Sequence, residues 1–104
     1  TIDKNTGFTV AKGEAIAFNK NILQVSGSPA GDIKFTISKV PQFGWLVRGA
    51  SILKVGDSFT QEDVDVMNLI YINNGSGTQD KITVSGSDKA GATLDNFDIN
   101  VIIQ

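Results

Sequence analysis

Apolar and polar residues alternate along most of this chain. Ile33, Phe35 and Ile37 are interleaved with Lys34, Thr36 and Ser38, and Ile82 and Val84 with Lys81, Thr83 and Ser85. The longest such run is Phe97, Ile99, Val101 and Ile103 against Asp98, Asn100 and Ile102. Successive side chains of a strand point to opposite faces, so this pattern predicts strands with one buried face. Shorter segments of the same kind carry Phe8 and Val10, Ile16 and Phe18, and Leu23 and Val25. Lys12-Gly13, Gly27-Ser28-Pro29, Asn74-Gly75 and Lys89-Ala90-Gly91 separate the segments with turn chemistry. No helical stripe exceeds one turn. Thr60 followed by Asp63 predicts an N-cap and a single helical turn over 60–65. About seven or eight short strands with one short helical turn predict an all-β fold, an antiparallel β-sandwich, with a barrel as the second architecture.

The stretch PQFGWLVRGASILKVGDSFTQEDV, from Pro41 to Val64, gathers the unusual residues of the chain. Pro41 lacks an N–H and holds Val40 extended, which closes the strand of Phe35 and Ile37. Gly44 supplies a turn conformation that other residues resist. With Leu46 directed to the core, Trp45 and Val47 point outward. Arg48-Gly49-Ala50-Ser51 reads as a tight hairpin, after which Leu53 and Val55 return to the core. Gly56-Asp57 turns the chain again and Phe59 plugs the core. On this reading the stretch is folding punctuation. A functional reading stands beside it for Trp45. Ile70 and Ile72 are out of phase with Leu69 and Tyr71, and Ile102 with Val101 and Ile103, so Trp45, Val47, Ile70 and Ile72 form a candidate outward contact surface. Tryptophan is enriched at binding hot spots and its ring stacks on sugars, which makes Trp45 the candidate anchor. The alternative is a ring covered by a neighbouring loop.

Composition narrows the function. The 104 residues are the size of one domain, residues 1–104, with 40% apolar and 19% charged residues. No apolar run approaches the roughly 20 residues a membrane helix needs, so no membrane insertion by this domain is expected. The start, TIDKNTGFTV, lacks the form of a secretory signal, and the chain reads as cytosolic or as a piece excised from a longer protein. Nine Lys and Arg stand against eleven Asp and Glu without a basic cluster, which argues against nucleic acid as a partner. The chain has no cysteine and no histidine, which removes thiol chemistry, disulfides, zinc fingers and the commonest general base. No catalytic constellation remains, and the expectation is a protein that is not an enzyme. Calcium takes roughly six to eight oxygens, several of them carboxylates converging from one or two loops. Asp63, Asp65, Asp80 and Asp88 are the candidate ligands, with Asp95 and Asp98 behind them; capping of turns is their competing role. The expectation is no cofactor, with calcium as the alternative.

The motifs NTGFTVAKGE, LQV, IKFTISKVPQFGWL, GDSFTQEDVDV, LIYINNGSGTQDKITVSGSD and FDINVII, taken in this order, resemble a chondroitin sulfate proteoglycan (CSPG) repeat over nearly the whole chain. Pro41-Gln42-Phe43-Gly44 with Leu46, Phe59-Thr60-Gln61 with Asp63, and Tyr71 followed by Gly75-Ser76 and Asp80 carry most of the resemblance. It implies a cadherin-like, immunoglobulin-like sandwich that occurs in tandem in large surface and matrix proteins. Many such repeats have an Asp-x-Asp pair after the Leu-x-Val strand, where this chain has Ser26-Gly27-Ser28, so the calcium pair that the resemblance implies is missing. Asn73-Asn74 stands where the family often has His-Asp, and Met67 where a glycine usually precedes the next strand. The resemblance implies a structural or adhesive repeat module outside the cell or at its surface, with neighbouring repeats of the same chain as partners. The alternative it leaves is a ligand-binding module for a glycan or matrix protein, with Trp45 as anchor.

Overall fold

A computed structural model of the chain describes residues 2–104. Among them are eleven strands: β1 (Ile2–Asn5), β2 (Phe8–Val10), β3 (Ala15–Ala17), β4 (Leu23–Val25), β5 (Lys34–Lys39), β6 (Gly44–Arg48), β7 (Ser51–Ile52), β8 (Ser58–Thr60), β9 (Leu69–Asn73), β10 (Gln79–Ser87) and β11 (Thr93–Ile103). One helix, α1 (Gln61–Asp65), and a 3-10 turn at Ala30–Asp32 complete the elements. A five-stranded sheet has the order β2-β11-β10-β5-β8, and a four-stranded sheet the order β3-β9-β6-β7. β1 and β4 form a separate antiparallel pair. Every neighbouring pair is antiparallel except β2 with β11.

The buried faces are those the alternation selects. Phe35 and Ile37 of β5, Phe59 of β8, Ile82 and Val84 of β10, and Ile99 and Val101 of β11 meet Leu46, Leu69 and Tyr71 of the smaller sheet in one cluster, to which β4 adds Leu23 and Val25. Full burial of one such side chain contributes about 1.5–3 kcal/mol. Phe8 ties the layers together, its ring edge-on to Tyr71 at 5.6 Å and to Phe18 at 5.1 Å between centroids. The all-β antiparallel sandwich expected from the sequence is therefore the architecture observed.

The helical turn also forms as the cap chemistry dictates. Asp63 N–H donates to Thr60 Oγ1 at 3.2 Å, and Asp63 Oδ2 accepts from Thr60 N–H at 2.9 Å, a reciprocal capping box. Gln61 is buried beneath it. Its Nε2 donates to the Leu23 carbonyl at 2.9 Å and its Oε1 accepts from Val25 N–H at 3.0 Å, which pins α1 to β4.

Two features differ from the sequence reading. The segments outnumber the expected seven or so strands because runs change partners partway. Gly7, at φ +66, breaks the first run, so that β1 pairs with β4 and β2 with β11. A Cβ there would collide with the Asn100 carbonyl oxygen, so the close approach requires glycine. The second difference is Val55, which is 62% exposed instead of buried; Leu53 alone enters the core. The cause is the crossover that follows. Gly56 N–H donates to the Ile37 carbonyl and the Asp57 carbonyl accepts from Ile37 N–H, both at 2.9 Å, so the chain leaves the smaller sheet for β5 and Val55 rides on the outside of the bend.

The parallel pair fixes where the chain enters and leaves. Phe8 lies beside Val101 and Val10 beside Ile103. With the same spacing, Asn5 Nδ2 donates to the Asp98 carbonyl at 2.8 Å. Ile2 thus lies near the start of the ladder, and Gln104, whose N–H donates to the Val10 carbonyl at 2.9 Å, near its end. Asn5, beside Asp98, is six residues along β11 from Gln104, a separation of roughly 20 Å at about 3.3 Å per residue.

Candidate functional site

The strand Gly44–Arg48 carries the site because its two faces meet different surroundings. Pro41 follows the end of β5 at Lys39 by two residues, and the next two residues, Gln42 and Phe43, cross to the other sheet. Gly44 then passes against β9 so closely that a Cβ would collide with the Ile72 carbonyl oxygen and sit 2.9 Å from the Tyr71 ring. Its role is close approach of two strands, a more specific requirement than the turn expected from the sequence. From Gly44 onward the alternation puts Leu46 in the core and Trp45 and Val47 outside.

Beneath this strand lies a polar staple between the sheets. Asp80 of β10 accepts four hydrogen bonds: Oδ1 from Gln42 N–H at 2.9 Å and Lys81 N–H at 2.8 Å, Oδ2 from Phe43 N–H and the Tyr71 hydroxyl, both at 2.9 Å. Asn73 of β9 holds the same loop from the other side. Its Nδ2 donates to the Phe43 carbonyl at 2.9 Å and the Ser76 carbonyl at 3.2 Å, while its Oδ1 accepts from Gly13 N–H and Gly75 N–H at 2.8 Å. Burial pushes the Tyr71 hydroxyl up to about 12, with the Asp80 carboxylate adding to the rise and Asn73 opposing it. Gly77 completes the clamp: a Cβ there would lie 2.6 Å from the Phe43 ring.

The outer face brings together the four apolar residues singled out from the sequence. Trp45 pairs with Ile72 across β6 and β9, and Val47 with Ile70 on one side and Ile52 of β7 on the other. Ala15 and Ala17 of β3 extend the two rows. Trp45 is 46% exposed, while Val47, Ile70 and Ile72 are half-buried. Ile102 does not join them, because it lies on β11 of the opposite sheet. Trp45 also lines a groove of about 520 Å³ where β7 bends away from β6; Val40, Ile52 and Val55 share its wall, and Lys54 is its one charged lining residue. Those three apolar partners were not singled out from the sequence. Their signals differ: Ile52 faces outward by alternation with the buried Leu53, whereas Val55 shares the phase of Leu53 and only the crossover at Gly56 turns it out.

The four candidate calcium ligands do not converge. Asp63 and Asp65 belong to α1, Asp80 to β10, and Asp88 to the turn after β10. Among the described residues no three carboxylates come together as an ion site. Each already serves protein donors. Asp63 closes the capping box, Asp65 accepts from Gln61 Nε2 at 3.0 Å, and Asp80 forms the staple. Asp88 accepts from the Ser28 hydroxyl at 2.8 Å and Ala92 N–H at 2.9 Å, which together hold its carboxyl below the usual aspartate value. Asp98 is occupied by Thr83 Oγ1 at 2.7 Å and by Lys81 at 3.8 Å.

A family model described as Cadherin-like matches residues 1–101. The chain is also similar to the human FRAS1-related extracellular matrix protein 1, with 31% identity over 81 residues, or 75% of this chain. The chain spans only about 4% of the length of that relative. No solved structure matches it.

Proposed function

This chain belongs to the cadherin-like family, and from that premise we propose that it is a non-catalytic, tension-bearing link of a longer extracellular protein, joined to neighbouring repeats at its two ends. Its extracellular place follows from its kinship with a matrix protein, of which it matches a small fraction. The motif order from Asn5 to Ile103 supports a finer reading as a CSPG-type repeat.

The parallel pairing of β2 with β11 carries the mechanical reading. A pull on the two ends draws β2 back toward Ile2 and β11 forward toward Gln104. Parallel strands drawn apart along their length load their hydrogen bonds together, in shear. Strands peeled apart from one end load them one after another. The ladder continues past β2 itself, with Gln104 N–H donating to Val10 at 2.9 Å and Lys12 N–H donating to the Gln104 carbonyl at 2.8 Å.

A distance measurement tests the geometry. The chain has no cysteine, so Asp3→Cys with Gln104→Cys takes two spin labels at known places. The expected separation by pulsed electron paramagnetic resonance is roughly 25 Å or more. Labels found next to each other would place both ends at one pole and overturn the reading.

A further inference from the structure

Eight large apolar side chains are exposed among the described residues, and six of them fall into two groups. Val40, Trp45, Ile52 and Val55 line the groove at the Gly44 end of β6. Val66 and Met67, 65% and 54% exposed, form a knob just after α1. Met67 holds a left-handed conformation, φ 60, and among the described residues it is the one non-glycine that does so. An unbranched apolar side chain in a strained conformation that buries little within its own fold points to a role on the surface.

Knob and groove lie at opposite ends of the same strand. The Asn68 carbonyl, next to Met67, accepts from Gly49 N–H at 3.1 Å, just past the Arg48 end of β6, whereas Gly44 lines the groove. Four residues of strand separate them by roughly 13 Å, so one molecule cannot fill its own groove. Their charges are complementary. Glu62 and Asp65 are exposed beside the knob, while the groove is lined by Lys54 and no acid.

We propose that the Val66–Met67 knob of one copy docks into the Trp45 groove of a second copy, with Lys54 facing the acidic side of α1. The contact is head to tail, so each added copy leaves a free groove at one end and a free knob at the other. It goes beyond the tension-bearing reading and stands without it.

Sedimentation velocity of the chain at rising concentration tests this. The wild type shifts from monomer to dimer and longer species, with a dissociation constant on the order of 0.1–1 mM for so small a contact. Val55→Asp spoils the groove, and Val66→Ser with Met67→Gly removes the knob. All three positions are exposed, and a circular dichroism melt verifies that the variants fold. Each variant alone stays monomeric. Their equimolar mixture holds one intact knob and one intact groove, and forms a dimer that grows no further. Lys54→Glu weakens the wild-type association about tenfold through charge alone. A wild type that stays monomeric to about 1 mM, or a mixture that fails to pair, overturns the proposal. A monomeric wild type retained on immobilised oligosaccharides, with retention lost in Val55→Asp, assigns the groove to a saccharide and overturns it equally.

Discussion

The two faces of β6 are built from five consecutive residues yet obey different rules. On the inner side Leu46 packs against the core, and the strand starts from a loop held by the Asp80 and Asn73 staple, in which buried polar atoms have partners. On the outer side Trp45, with Ile52 and Val55, stays 46–62% exposed. The tryptophan draws the eye in the sequence, but the residues that hold the strand in place are Gly44, Asp80 and Asn73. What separates the faces is how much each side chain leaves unsatisfied when it is removed.

Substitutions can break this contrast, and the largest effect is expected at Asp80. Asp80→Ala strands the Tyr71 hydroxyl and the Gln42 and Phe43 N–H groups, and should cost about 3–5 kcal/mol. In a domain of this size that is a fall of roughly 15–25 °C in melting temperature. Gly44→Ala comes next, at about 2–3 kcal/mol, because the collision is with backbone that cannot step aside. Met67→Gly has the opposite sign and should stabilise the chain by about 1 kcal/mol as the left-handed strain is released. Trp45→Ala should cost less than about 1 kcal/mol in a thermal melt. A fall of more than about 10 °C there would show the outer ring to be part of the core.

A pH titration sharpens the inner side of the comparison. Tyr71 binds its proton more tightly folded than unfolded, so its contribution is complete below its ordinary value of 10.0 and is lost as pH rises toward about 12. Denaturant midpoints measured across that range should fall with rising pH, and should do so less in Tyr71→Phe. Equal slopes would show that the hydroxyl is not held by burial.

Much of the fold was legible in the sequence because its cues are local. Alternation marked the buried faces of β5, β9, β10 and β11, Thr60 with Asp63 marked the capped turn, and Pro41 marked the end of β5. The outward placement of Trp45, Val47, Ile70 and Ile72 followed from the same period. Long-range requirements were not legible. Asp80 reads as one surface carboxylate among several until β10 is laid beside the Gln42–Phe43 loop. Val55 reads as core until the crossover to Ile37 turns it out. The groove arises where two strands diverge, and Ile102, which shares the period of the outer group, falls on the other sheet.

The measurement that tests the mechanical account most directly is force spectroscopy on the same chain held in two ways. Pulled between its first and last residues, it should unfold in a single high-force event as the β2–β11 ladder is sheared. Pulled between Lys12 and Gln104, neighbours at one end of that ladder, it should open at clearly lower force by peeling. Low force in both directions, or equal force in both, would contradict the claim that this sandwich is built to bear tension along its length.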